Sequence, residues 1–199
     1  MARTWTVGRG WIWIGAACVV AGCASMPREL PAEYFVPRRT LEIRVVNELG
    51  APQILDRTEV SAGQAMERHA RKRDMLADLR RETASGLLTD HLGRELSETF
   101  DIRDRDAELV LKVTVDRWGW TVSRDPDQAQ LLDHRLYLMG IAVIEDVRRP
   151  DEAVYRGLIR SEAPLGYAPT PMAAQEAFPS AVVRFGQALT QDILVGRPR

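Results

Sequence analysis

Several things are scarce in this chain. Two cysteines in 199 residues cannot build a disulfide framework. No stretch reaches the roughly 18 consecutive apolar residues that a membrane-spanning helix needs. Charge of neither sign is in excess: 27 basic against 28 acidic side chains leave a net −1. Phosphate-backbone binding draws on a cationic surplus, so nucleic acid is not an expected partner. Histidine is limited to His69, His91 and His134, too scattered for an imidazole-built metal site, and neither metal nor cofactor is expected. The G-x-S-x-G elbow, the H-E-x-x-H pair and the phosphate-cradling loop are all missing. Carboxylates such as Asp116, Asp133, Glu145 and Asp146 occur near strand ends, but no pattern places two of them around a cleft. The expectation is a protein that is not an enzyme.

What is present is concentrated at the start. Both cysteines, Cys18 and Cys23, and three of the five tryptophans, Trp5, Trp11 and Trp13, fall in the first 23 residues. Arg3 and Arg9 form a positive segment without an acid, and Trp11 to Gly22 is an apolar run of secretory-signal size, too short to cross a bilayer. That run ends in Val20-Ala21-Gly22-Cys23. An aliphatic residue, two small residues and a cysteine in this position resemble the lipobox of bacterial lipoprotein signal peptides. The resemblance implies cleavage before Cys23, with Val20, Ala21 and Gly22 read by the signal peptidase. It also implies diacylglycerol on the Cys23 sulfur and, usually, an acylated new amino terminus. Each buried methylene contributes about 0.8 kcal/mol, so two or three chains hold a protein on a membrane where one would not. In that family an Asp after the cysteine commonly retains the protein in the inner membrane. Here Ala24 and Ser25 follow, so the resemblance implies an outer-membrane anchor facing the periplasm.

The expected organisation is therefore a signal peptide over 1–22, a lipidated tether over 23–39 and one domain over 40–199. Discarding the signal removes two arginines and no acid, leaving 25 basic against 28 acidic residues. Pro27, Pro31 and Pro37 favour extended backbone and read as a spacer, with docking of Tyr34 and Phe35 on the domain as the alternative.

Within the domain, Leu41, Ile43 and Val45 alternate with Glu42 and Arg44, a half-buried strand. A further short strand is weakly patterned around Leu55. From about Ala62 to Thr99 there is no proline, and leucines recur to Phe100 at three- and four-residue intervals, which predicts one long helix. Its first half, Glu67 to Asp74, is basic: Arg68, Arg71, Lys72 and Arg73 form either a solvated face or a docking surface for an anionic partner or lipid headgroups. His91 and Glu95, four apart, read as an exposed helix pair.

Leu109, Leu111, Val113 and Val115 share one strand face, but Trp118 and Trp120 fall on the opposite parity. Either a bulge re-registers the strand, or its second face is also covered there. The tryptophans are then core or a partner-contact patch. Arg135 to Ile144 is apolar on both parities, as in a central strand covered on both sides, and pairs through a turn at 148–152 with Ala153 to Arg160. Thr170-Pro171 starts a last helix, which Pro179 kinks or divides. The fold expected is α+β in the order β-α-β-β-β-α: a mainly antiparallel sheet of about four strands with both helices on one face.

The run Leu92, Leu96, Phe100 leading into Ala107 to Val115 also resembles, as hydrophobic patterning, small periplasmic lipoproteins. These include the auxiliary lipoproteins of ABC-type transport systems, the lipopolysaccharide-assembly lipoprotein and lipoproteins of curli or exopolysaccharide secretion. No functional residue carries over. The expected role is assembly or transport through a protein partner in the envelope. Carriage of lipid or another hydrophobic ligand is the alternative, and a periplasmic hydrolase the second alternative.

Overall fold

The alternation of Leu41, Ile43 and Val45 forms β1, Thr40–Asn47, in a computed structural model that describes residues 29–36, 39–58, 62–77, 79–124, 131–150 and 152–197. A short 3-10 turn covers Ala32–Tyr34, and the remaining strands and α-helices are β2 (Gln53–Asp56), α1 (Ala62–Ala77), α2 (Thr83–Leu96), β3 (Asp101–Ile102), β4 (Leu109–Arg124), β5 (Leu132–Asp146), β6 (Ala153–Gly166) and α3 (Pro171–Leu194). The class is α+β, as expected, but among the described residues the sheet has six strands and is mixed. Its order is β3-β1-β4-β5-β6, with β2 joining β4 beyond the end of β1. The β4-β5-β6 meander is antiparallel, while β1 and β2 lie parallel to β4, and β3 parallel to β1. Parallel neighbours need a crossover, and α1 and α2 provide one between β1 and β4.

The single long helix is also corrected. Leu76 and Leu88 are both wholly buried, yet twelve residues at 100° each leave them about 120° apart on a straight helix. Breaking the chain lets both stripes face inward. The break is held by Arg81, whose N–H donates to the Leu79 carbonyl at 2.8 Å and whose guanidinium donates to the Gly50 carbonyl at 2.8 Å. Past it, Leu88, Leu92 and Leu96 of α2 are each fully buried, worth about 1.5–3 kcal/mol apiece. The last helix begins as expected: the Thr170 side chain accepts from the Ala173 N–H, Pro171 occupies the first turn, and one helix continues through Pro179.

The body also begins earlier than residue 40. Leu30 and Tyr34 are 1% and 3% exposed, and Phe35 packs on Phe100 at 6.0 Å. From Leu30 to Phe35 the chain is docked, as in the alternative that places Tyr34 and Phe35 on the domain.

Helices α2 and α3 pack on one face of the sheet. The inner surface carries Leu111, Val113, Trp118, Trp120, Leu136, Leu138, Tyr155 and Ile159, facing Phe178, Phe185 and Leu189 of α3. Among the described residues, no helix lies over the other face.

Candidate functional site

The tryptophan strand decides what lies under α1. A register shift between Val115 and Arg117 inserts one residue, which returns the next side chains to the inner face. Trp118 and Trp120 are thus 1% and 0% exposed. They are core residues, the first of the two readings the sequence left open, and their side chains are not exposed to a partner. Indole N–H groups need acceptors when buried. Trp118 Nε1 donates to the Gly50 carbonyl at 2.8 Å, and its ring meets Phe178 edge-on at 5.9 Å. Trp120 Nε1 donates to His134 Nδ1 at 3.0 Å, so the neutral imidazole carries its proton on Nε2.

Around that pair sits a buried polar cluster. Asp56 ends β2 and accepts from the Thr58 N–H at 2.9 Å and from the Thr58 hydroxyl. Arg68, His69 and Lys72 share one face of α1 through three- and four-residue spacing, which turns all three toward Asp56. His69 Nε2 lies 4.0 Å from Asp56 Oδ2, and Lys72 Nζ lies 5.7 Å from the centre of the Trp120 ring. Lys72 and His134 are only 7% and 8% exposed. Arg68 Nη1, His69 Nε2, Lys72 Nζ and Asp56 Oδ2 are buried without a hydrogen-bond partner among the described residues.

Burial, reinforced by Lys72 and Arg68 against the pull of Asp133 and Asp56, pushes the His134 imidazole down to about 4. Burial also lowers the Lys72 ammonium, with Asp56 opposing and Arg68 assisting. For Asp56 burial acts upward, but the Thr58 hydrogen bonds, Lys72 and Arg68 together hold the carboxyl below its usual range. The arrangement is a compensated charge cluster with a neutral imidazole at its centre. It responds to acid, and it sits inside the body.

The basic start of the helix is consequently divided. Arg71 and Arg73 are exposed, with Arg71 paired to Glu67 one turn away, while Lys72 points inward and is not available to a headgroup or an acidic partner. His91 is 5% exposed, packed where α2 crosses α3, and a methyl on Gly186 would fall 2.3 Å from its Cδ2. It is therefore not half of an exposed pair with Glu95. Cys23 and its recognition residues Val20, Ala21 and Gly22 lie outside the described residues. Among the described residues no group of three or more metal-ligating side chains assembles, and no helix is long and apolar enough to cross a membrane.

A surface feature was not foreseen. Val46, Thr114, Ile141 and Leu158 are neighbours across β1, β4, β5 and β6 on the face without helices. Val46, Ile141 and Leu158 are 46%, 37% and 63% exposed. The double-parity apolar pattern of β5 was the available signal, read instead as cover on both sides. Tyr137 on that outer face is covered, by Arg160 at 5.3 Å and through a 3.2 Å hydrogen bond to Gln53. Ile141 is not. Between the sheet and α3 the space is occupied by Trp118, Trp120, Phe178 and Phe185, while an open groove remains between α2 and the β1–β3 edge, lined by Ile43, Gly93 and Ile102.

No family model matches the chain, and no curated protein does. Among solved structures, it is similar to a putative lipoprotein from Caulobacter crescentus CB15, with 14% identity and a TM-score of 0.35, covering 73% of this chain and 86% of that one. It is similar to a minor lipoprotein from Acinetobacter baumannii, with 13% identity and a TM-score of 0.44 over 79% and 92%. A third is lipoprotein GNA1162 from Neisseria meningitidis, with 12% identity and a TM-score of 0.37 over 74% and 96%. At such values the likenesses carry no argument about role.

Proposed function

We propose that the protein is exported, lipidated on Cys23 and held on the outer membrane facing the periplasm, where it serves through protein contacts as a non-enzymatic accessory of assembly or transport. The observation that carries the reading is Val20-Ala21-Gly22-Cys23 at the end of the apolar run, followed by Ala24-Ser25. The contact role is supported by the row Val46, Ile141 and Leu158. These apolar side chains, on β1, β5 and β6 with Thr114 of β4 between the first two and no described helix over them, form the kind of surface a protein partner covers.

The test is fractionation of cells producing the wild-type chain and Cys23→Ala. The wild type is expected in outer-membrane fractions as a processed, lipid-labelled species. The variant is expected to lose the lipid label and remain unprocessed by the lipoprotein signal peptidase. Processing and membrane association that persist unchanged in the variant would refute the anchor.

A further inference from the structure

The lipid anchor proposed above meets a body that is docked from Leu30 onward, and this limits how the body stands on the membrane. Leu30 is fixed: it is 1% exposed, and its carbonyl lies against Gly196, where a Cβ would come within 2.4 Å of the oxygen. Tyr34 is buried with the Arg39 guanidinium 4.5 Å from its ring centre. From Cys23 to Leu30 is seven residue steps, which cannot reach beyond about 25 Å even fully extended.

Leu30 sits at one end of the sheet. There β1 and β4 begin, β5 turns into β6, and α2 and α3 end, tied by a 3.2 Å bond from Arg197 to Thr99. The opposite end, where β4 finishes at Arg124, is displaced by the thirteen steps from Leu109 to Val122 and beyond, about 40 Å along the strand.

We infer that the end bearing Leu30, Gly196 and the β5–β6 turn is the membrane-facing surface of the protein, kept within about 25 Å of the lipid headgroups by a short leash. The Arg124 end and the basic face of α1 are then presented away from the bilayer. The holding is assigned to the leash, since three of the cations at this end are already engaged by carboxylates. Arg39, Arg103 and Arg148 at this end are engaged with Asp146, Asp101 and Glu108, and Glu29 and Glu33 flank Leu30.

The inference rests on lipidation at Cys23 and can fail separately from it. Once the signal is removed and Cys23 acylated, a cysteine introduced at exposed Arg149 or at exposed Arg124 is the only thiol. Lipidated full-length Arg149→Cys and Arg124→Cys, each carrying a donor dye, are reconstituted into vesicles with an acceptor dye on the lipid headgroup, and energy transfer is read. Transfer from position 149 is expected to exceed that from position 124 several-fold and to be unchanged by high salt. Co-sedimentation with equal or reversed transfer overturns the leash while leaving the anchor standing, and a position-149 signal abolished by salt overturns it too, since adsorption would then be the cause. A chain that does not co-sediment with vesicles overturns both.

Discussion

Acid should destabilise this protein through His134, and the size of the effect follows from its surroundings. The imidazole accepts the Trp120 N–H at 3.0 Å, is 8% exposed and is pushed by burial from 6.5 to about 4. Its folded-state value is thus depressed. The unfolded chain binds a proton on His134 below about 6.5, whereas the folded chain binds one only below about 4. Stability is therefore fully present above 6.5 and drains away as pH falls through that window. Each tenfold in proton affinity is worth about 1.4 kcal/mol, so the loss reaches about 2 kcal/mol by pH 5 and approaches about 3 kcal/mol in full. Against a total of roughly 5–15 kcal/mol for a domain, this is a large fraction.

The assay is urea denaturation of the mature domain at pH 7.5 and pH 5, with His134→Gln as the control. Glutamine keeps an acceptor for Trp120 but does not titrate, so subtracting the variant removes the contribution of carboxylates to the pH dependence. The wild type should lose about 2 kcal/mol more than His134→Gln over that interval. Equal losses in the two proteins would refute the assignment of a buried, neutral imidazole.

Lys72→Met removes the buried cation that helps depress His134, so NMR titration should place the imidazole above its wild-type value. Unfolding should show a loss of about 1–3 kcal/mol, because Asp56 stays buried and loses one of the cations that compensate it. Gly119→Ala should cost about 2–4 kcal/mol in the same assay. Its Cβ would fall 1.8 Å from the Gln53 carbonyl oxygen, at a φ of +156°, and β2 would have to leave β4; a loss below 1 kcal/mol would mean that β2 is not paired there.

Local pattern was legible and assembly was not. Leu41, Ile43 and Val45 and Thr170-Pro171 each carry their signal within a few residues, and each element stands where expected. The place of β1 beside β4 does not reside in either strand, because it depends on where the intervening helices lie. Leu30 sits singly among prolines and shows no period, so nothing in its neighbourhood marks it as buried, whereas the adjacent aromatics Tyr34 and Phe35 carry the docking alternative. His91 looks like a polar residue on a helix face. Its burial depends on Gly186, 95 positions away, leaving room where the helices cross. The polar cluster was half legible. The basic run on α1 was evident, but that Lys72 turns inward while Arg71 and Arg73 turn out follows only once β2 and Asp56 are set beneath one face of the helix.

The shift between Val115 and Arg117 ties several of these features together. A strand has a period of two, so without the extra residue both tryptophans would stand with Lys112 and Thr114 on the helix-free face. With it, they become the floor beneath α1 and α3. A kinked strand also loses an unbroken partner along its edge, and the edge is in fact divided: β1 pairs with β4 up to Val115 and β2 resumes at Gly119. The chain bridging that gap is used rather than merely tolerated. The Gly50 carbonyl in it accepts from both Trp118 Nε1 and the Arg81 guanidinium. The inserted residue, the interrupted edge and the break between α1 and α2 are thus stitched at one carbonyl. The charge cluster around His134 lies just beyond, on the stretch of β4 and β5 that β2 and α1 cover.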